Sequence, residues 1–179
     1  YRMKKSNLLQ EEEIILVNNE IDKIRLQQYK IKVLNNIIEE NVIYSTTDLK
    51  GKITHASKAF CEISGYKKEE LIGKHHNLIR HSDMPATVFK NMWRTIKDGH
   101  AWRGNIKNLK KDNSFYWVDT KIEPLYEIDG SFNSYIAIRF DITNKICLDN
   151  LNKELEHRIN KEVEDNRRKD QQLIHQSRL

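Results

Sequence analysis

"AWRGNIKNLKKDNSFYWVDTKIEPLYEIDGSFNSYIAIRFDI", residues 101–142, decides the fold of this 179-residue chain. Its residues follow a period of two, the repeat of strands with one buried face. "AWRGNIKNLKK", "SFYWVDTKIEPL" and "SFNSYIAIRFDI" are expected strands, and "KDN" and "YEIDG" are hairpin turns between them. Upstream, "VIYSTTDLKGKITHAS" (42–57) reads as strand, turn, strand, with Asp48 and Gly51 bracketing the turn. Hairpin-length loops leave only antiparallel pairing, so one five-stranded antiparallel sheet is expected. Short helices fill the gap between the two groups of strands. Ser57 is placed to cap "KAFCEIS", which Gly65 stops, and "KKEELIG" ends at Gly73. Pro85 suits the first turn of "ATVFKNMWRTIKDG", where Val88, Met92 and Ile96 share a face and Gly99 ends the helix. These helices must cover one face of the sheet, which makes residues 42–141 an α+β domain.

The flanks are of a different kind. All six Gly, both Pro and all three Trp lie within 42–141. In residues 1–41, Ile14, Val17, Ile21, Ile24, Ile31 and Ile38 fall on alternating steps of three and four, with Gln28 and Asn35 in the polar gaps. That is a heptad seam, expected to pair in a two-stranded coiled coil; the alternative is a helix folded back on its own domain. In residues 142–179, Leu148, Leu151, Leu155, Ile159 and Val163 step by 3, 4, 4 and 4, and the seam returns at Leu173, Ile174 and Leu179. Successive four-residue steps are a stutter, which locally unwinds a left-handed coil.

Bulk properties narrow the function classes. The net charge is +5, but the 31 basic and 26 acidic side chains are spread along the chain without a basic block. Nucleic-acid binding needs a concentrated patch and is not expected. Cys61 and Cys147 fit no metal spacing and suit a reducing cytosol. No apolar run approaches the length of a membrane span.

"HNLIRHSDMP", residues 76–85, concentrates chemistry in one loop. His75, His76, His81 and Asp83 are ligand types, but their spacing matches no metal frame. No nucleophile or acid–base pair is evident, so no catalytic residue is assigned. An anion grip fits better: Arg80 offers a planar fork of donors, and His81 adds a donor when protonated. The plain reading is a solvent-facing loop in which Asp83 caps the helix that Pro85 begins. Trp93 on the long helix and Trp102 on the third strand could each wall a flat ligand by stacking or simply pack the core, and Phe89 is equally ambiguous. Asn108 lies six residues after Trp102 on the same face, where an amide needs a partner.

"DLKGKITHASKAFCEISGYKKEELIG" resembles the front half of a PAS sensor domain. "HNLIRHSDMP", "MWRTIKDGHAWRGNIKN" and "YWVDTKIEPL" are similar, more narrowly, to the PAS domains of bacterial aerotaxis transducers, which carry FAD non-covalently. The likeness runs from about Ser45 to Arg139. It implies a PAS fold with cofactor binding at Arg80, His81, Asp83 and Asn108; Phe89, Trp93, Trp102 and Ser57 are the further candidates for the same cofactor, and the heptad helices flank the fold. The family has Asn where this chain has Ser57, which reaches less far and leaves room for a different ligand or an empty pocket. A cysteine adduct is not expected, because "HNLIRHS" holds no Cys; the long helix holds no His for haem.

"LNKELEHRINKEVEDNRRKDQQLIHQSRL" is similar to the linker before the dimerisation domain of sensor histidine kinases, whose phospho-accepting His lies further on than His175. The expected parent is a cytoplasmic or inner-membrane-anchored histidine kinase, with kinase domains in cis and a response regulator as partner. The fragment itself is not expected to be an enzyme. It would work as a homodimer through both helical ends, passing a redox or oxygen-linked signal from FAD through "AIRFDIT" into the C-terminal coil. The competing expectation is a cofactor-free dimerisation and relay spacer, or a binder of another small ligand.

Overall fold

The computed structural model describes residues 2–176, with side chains from 14 to 173. A 40-residue helix, α1 (Arg2–Asn41), leads with one intervening residue into strand β1 (Ile43–Asp48). Then follow β2 (Ile53–Ala56), helices α2 (Lys58–Ser64) and α3 (Lys68–Leu71), a 3-10 turn (His76–Ile79) and helix α4 (Ala86–Lys97). Strands β3 (Trp102–Leu109), β4 (Phe115–Tyr126) and β5 (Phe132–Asp141) complete the domain, and α5 (Thr143–Gln176) leaves it.

The five strands form one antiparallel sheet in the order β2-β1-β5-β4-β3. Three neighbours are hairpins. The fourth pair, β1 with β5, joins the two halves of the sequence over six residues, from Ile43↔Arg139 to Asp48↔Ser134. Local turn chemistry sets the hairpins. The Asp48 carboxylate accepts from the Lys50 and Lys52 amides, and Gly51 takes φ 79°. Gly51 is required twice over, because a Cβ there would also sit 2.9 Å from the Trp93 ring. Asp112 and Asp129 play the Asp48 part in the other hairpins, each accepting from the serine two residues on.

The helices pack on one face of the sheet. Met92 and Ile96 of α4 meet Ile106, Val118, Ile122, Tyr135 and Ala137 beneath them. A second cluster of Ile53, Ala56, Phe60, Leu71 and Ile79 joins α2 and α3 to β2. Ser57 ties this half together. Its hydroxyl accepts from the Phe60 amide at 3.1 Å and the Tyr44 amide at 3.0 Å, and donates to the Val42 carbonyl at 2.8 Å. It therefore caps α2, as expected, and also ties the start of α2 to the start of β1.

The helix start after Pro85 differs from expectation. Pro85 is itself the cap residue, and no side chain caps α4. Asp83 instead reaches sideways to Lys107 Nζ at 2.6 Å. A salt bridge to a half-buried lysine competes well with a cap, and it pins the loop against edge strand β3. The apolar seams of both long helices are solvent-exposed in the single chain: Ile24 at 52%, Ile31 at 57% and Leu151 at 48%. The returning seam at Ile174 and Leu179, like His175, lies outside the described side chains. No described helix is long and apolar enough to cross a membrane.

Candidate functional site

A cavity of about 430 Å³ opens between α4, the 3-10 turn and the inner face of the sheet. Its floor is built by strand alternation: Thr47 from β1, Tyr135, Ala137 and Arg139 from β5, Thr120 and Ile122 from β4, and Ile106 and Asn108 from β3. Phe89, Met92, Trp93 and Ile96 of α4 form the opposite wall. Lys50, His75, Arg80 and Lys90 stand exposed around the mouth.

Of the residues singled out by sequence, Arg80, Phe89, Trp93 and Asn108 come together here. The Arg80 guanidinium lies 4.0 Å over the Phe89 ring and donates to the Met84 carbonyl, which fixes it at the mouth. Trp93 stands edge-on to Tyr135, with ring centres 6.0 Å apart, and rests on Gly51. Asn108 is buried at 4% exposure, opposite Tyr116 in the ladder, and its backbone bridges to Arg80.

The other four lie outside the cavity wall. Trp102 donates from its indole to Asn91 Oδ1 at 3.1 Å and lies over Gly104, where a Cβ would come within 2.7 Å of the ring. His81 turns to Phe115, and its Nδ1 accepts from the Asp83 amide at 3.1 Å. The Lys107 ammonium beside Asp83 holds its carboxyl below the usual range. Ser57 is occupied by its three hydrogen bonds. The expected Arg–His–Asp corner is thus divided: Arg80 faces the cavity, while His81 and Asp83 brace the loop on β3.

Two further residues are central: Arg139, which the sequence reading missed, and His76, which it weighed only as a metal-ligand type. Arg139 of β5 is 4% exposed and faces inward. It donates to Ser45 Oγ at 3.1 Å and the Ala137 carbonyl at 3.2 Å, and its Nη2 is 2.7 Å from His76 Nε2. Because a guanidinium can only donate, His76 Nε2 must accept, and the ring is neutral. Burial and then the Arg139 charge push the His76 imidazole down to about 3. Burial lowers the guanidinium to about 10, which leaves it charged at neutral pH.

Two buried hydroxyls, Thr120 and Tyr116, have no hydrogen-bond partner among the described residues. Burial pushes the Tyr116 phenol up to about 12. Thr120 pairs with Arg139 across β4–β5, and Tyr116 with Asn108 across β3–β4. Arg139, Thr120 and Asn108 thus bring polar groups from three strands to the cavity, with the apolar Ile106 between Thr120 and Asn108. No Asp or Glu lines that cavity.

This arrangement of a half-wrapped sheet around a ligand-sized cavity is that of a sensor domain. Residues 53–139 match the family model of the PAS fold, and the central domain is a PAS domain, of the sensory kind found in signalling proteins. The chain is similar to the aerotaxis receptor of Escherichia coli (strain K12), 39% identical over 109 residues, which are 61% of this chain and 21% of that one. It is 30% identical over 123 residues to the nitrogen fixation regulatory protein of Klebsiella pneumoniae, covering 69% and 25%. The chain thus spans about a quarter or less of these relatives' length. A light-oxygen-voltage domain studied with a flavin analogue shares the fold, with a TM-score of 0.58 at 16% identity, over 70% of this chain and 96% of that one.

Proposed function

We propose that the cavity binds FAD non-covalently and that the domain relays the flavin's redox state to the helices that leave it. The observation that carries this reading is the cavity's mixed lining: polar groups from three strands set among apolar side chains, with cations at the mouth. An isoalloxazine ring has one hydrogen-bonding edge and one hydrocarbon edge, and its chain ends in phosphates. A volume of about 430 Å³ suits the ring system, within the range of ordinary ligand sites. The ribityl and nucleotide portion would leave through the mouth, past Arg80, Lys50 and Lys90. The unpartnered Thr120 hydroxyl fits a bound polar ring, since a buried hydroxyl without a partner is costly in a cavity meant to stay empty. The likeness to the aerotaxis receptor and the shared fold of the flavin-analogue domain support the same ligand.

When bound, FAD supplies a redox centre whose N5 changes from hydrogen-bond acceptor to donor on reduction. Asn108 can follow such a change by rotating its amide, which carries both functions. The neighbouring strand β4 begins, and β5 beyond it ends, where α5 begins. The Trp117 amide of β4 donates to Thr143 Oγ1 at 2.9 Å, and the Ile142 amide donates to the Trp117 carbonyl at 2.9 Å. In the whole protein, we take the exposed seams of α1 and α5 to pair with a second copy, and the kinase of a two-component system to read the tilt of α5.

The test is titration of ligand-free protein with FAD, followed by flavin fluorescence. Saturable one-to-one binding is expected. Asn108→Leu should weaken it about tenfold, the loss of one buried hydrogen bond, while leaving the fold intact. A parent protein that takes up no FAD leaves the spacer reading standing, and an Asn108→Leu variant that binds as well as the parent removes Asn108 from the site.

A further inference from the structure

Arg139 is in an unusual position for a charged side chain. It sits on the second of the sheet's inner strands, is buried, and all its partners are neutral: a serine hydroxyl, a backbone carbonyl, an unprotonated imidazole and, 5.1 Å away, the face of Phe60. No described carboxylate pairs with it. The other cations of the cavity, Lys50, Arg80 and Lys90, are exposed at the mouth, where water screens them. A cation left unpaired in the interior is costly, and proteins keep such a group where a ligand or substrate supplies the opposite charge.

We propose that Arg139 forms an anion site on the cavity floor, taking a ring edge of the ligand that carries negative charge or gains it on reduction, with the Thr120 hydroxyl beside it. The proposal rests on the flavin reading for the identity of that edge. A flavin ring that takes up two electrons and one proton keeps one negative charge, which resides at its pyrimidine edge. A fixed guanidinium next to that edge favours the reduced ring over the neutral oxidised one. Arg139 therefore tunes the ligand's reduction, whereas Arg80 and the rim lysines meet the phosphates. Burial also explains the division of labour. The phosphates are strongly hydrated and suit the open mouth; a delocalised ring charge is weakly hydrated and suits the floor.

The experiment compares the parent with Arg139→Met and Arg139→Lys in two measurements. The first is thermal unfolding without ligand. The second is titration with riboflavin, FMN and FAD, followed by the midpoint potential of the bound flavin during dithionite reduction. An anion site predicts that Arg139→Met melts at the same or a higher temperature than the parent, since it removes an uncompensated charge. It also predicts that this variant binds all three flavins more weakly by the same factor, about tenfold. Its bound flavin should have a lower potential than in the parent, and Arg139→Lys should restore much of it. A fall of several degrees in the ligand-free melting temperature would make Arg139 a structural member and overturn the proposal. Weakening confined to FMN and FAD would move Arg139 to a phosphate and overturn the ring-edge assignment. If the parent takes up none of the three flavins, the flavin reading fails, and the melting comparison still decides whether Arg139 is an uncompensated cation.

Discussion

At the residue scale, His76 is the group whose chemistry is most altered by the fold. Its imidazole stacks on Phe60, with ring centres 5.7 Å apart, and accepts from Arg139. A base held at about 3 in the folded chain, against about 6.5 when unfolded, binds fewer protons folded than unfolded between those values. Stability therefore rises with pH across that window; the contribution is fully present above about 6.5 and is lost as the pH falls below it. The slope from one such group is at most about 1.4 kcal/mol per pH unit. Chemical denaturation at pH 7 and pH 5.5 should show the parent losing stability on acidification and His76→Gln losing much less. Equal losses in the two proteins would mean that His76 is not held neutral. Arg139 escaped the sequence reading for a physical reason. In "SYIAIRFDI" the larger apolar residues, Ile136, Ile138 and Phe140, face outward, while Tyr135, Ala137 and Arg139 face the cavity. The bulkier residues are thus not the ones that face the cavity. The signal that could have found Arg139 was its parity with Tyr135 and Ala137, opposite Thr120 of the neighbouring strand.

At the scale of elements, the junction between β5 and α5 is where a change in the sheet meets the exit helix. Thr143 is bonded in both directions there: its amide donates to Asp141 Oδ1 at 2.9 Å, and its hydroxyl accepts from the Trp117 amide. Thr143→Val keeps the shape and removes the acceptor, leaving the Trp117 amide unpaired. We expect a loss of about 1–2 kcal/mol and, in the full-length protein, a signalling output that no longer follows the redox state. Cys147, exposed on α5, offers the readout. Spin labels there in the Cys61→Ala background should change separation on reduction in the parent and stay fixed in Thr143→Val. A separation that moves equally in both would place the relay elsewhere. The five strands and the helices α1 to α5 were legible from periodicity and turn residues because each is fixed by its own local sequence. The β1–β5 pairing was not, since register between distant segments depends on the packing of the whole face. Asp83 shows the same limit: a cap is a local inference, and the competing Lys107 lies 24 residues away.

At the scale of the molecule, two long helices, one before and one after the sensor domain in the chain, carry apolar seams exposed to water. A lone helix of this kind is marginal, and the simplest partner for a heptad seam is its own copy. Outer-face residues Ile138 and Phe140 add apolar area on the sheet, with Phe140 at 65% exposure. We expect sedimentation equilibrium to give a dimer, and the double substitution Ile24→Glu with Ile31→Glu to give a monomer that still folds in its central domain. A monomeric parent at micromolar concentration would contradict the dimer. In a dimer the Gln28 and Asn35 gaps set register, and the stutter after Leu151 gives the C-terminal coil a place where two packings are close in energy.

What fills the cavity is tested most directly by the absorption spectrum of the purified protein. The prediction is a flavin spectrum bleached by dithionite and restored by air, with one FAD released per chain on denaturation. A colourless protein that remains colourless after incubation with excess FAD would contradict it.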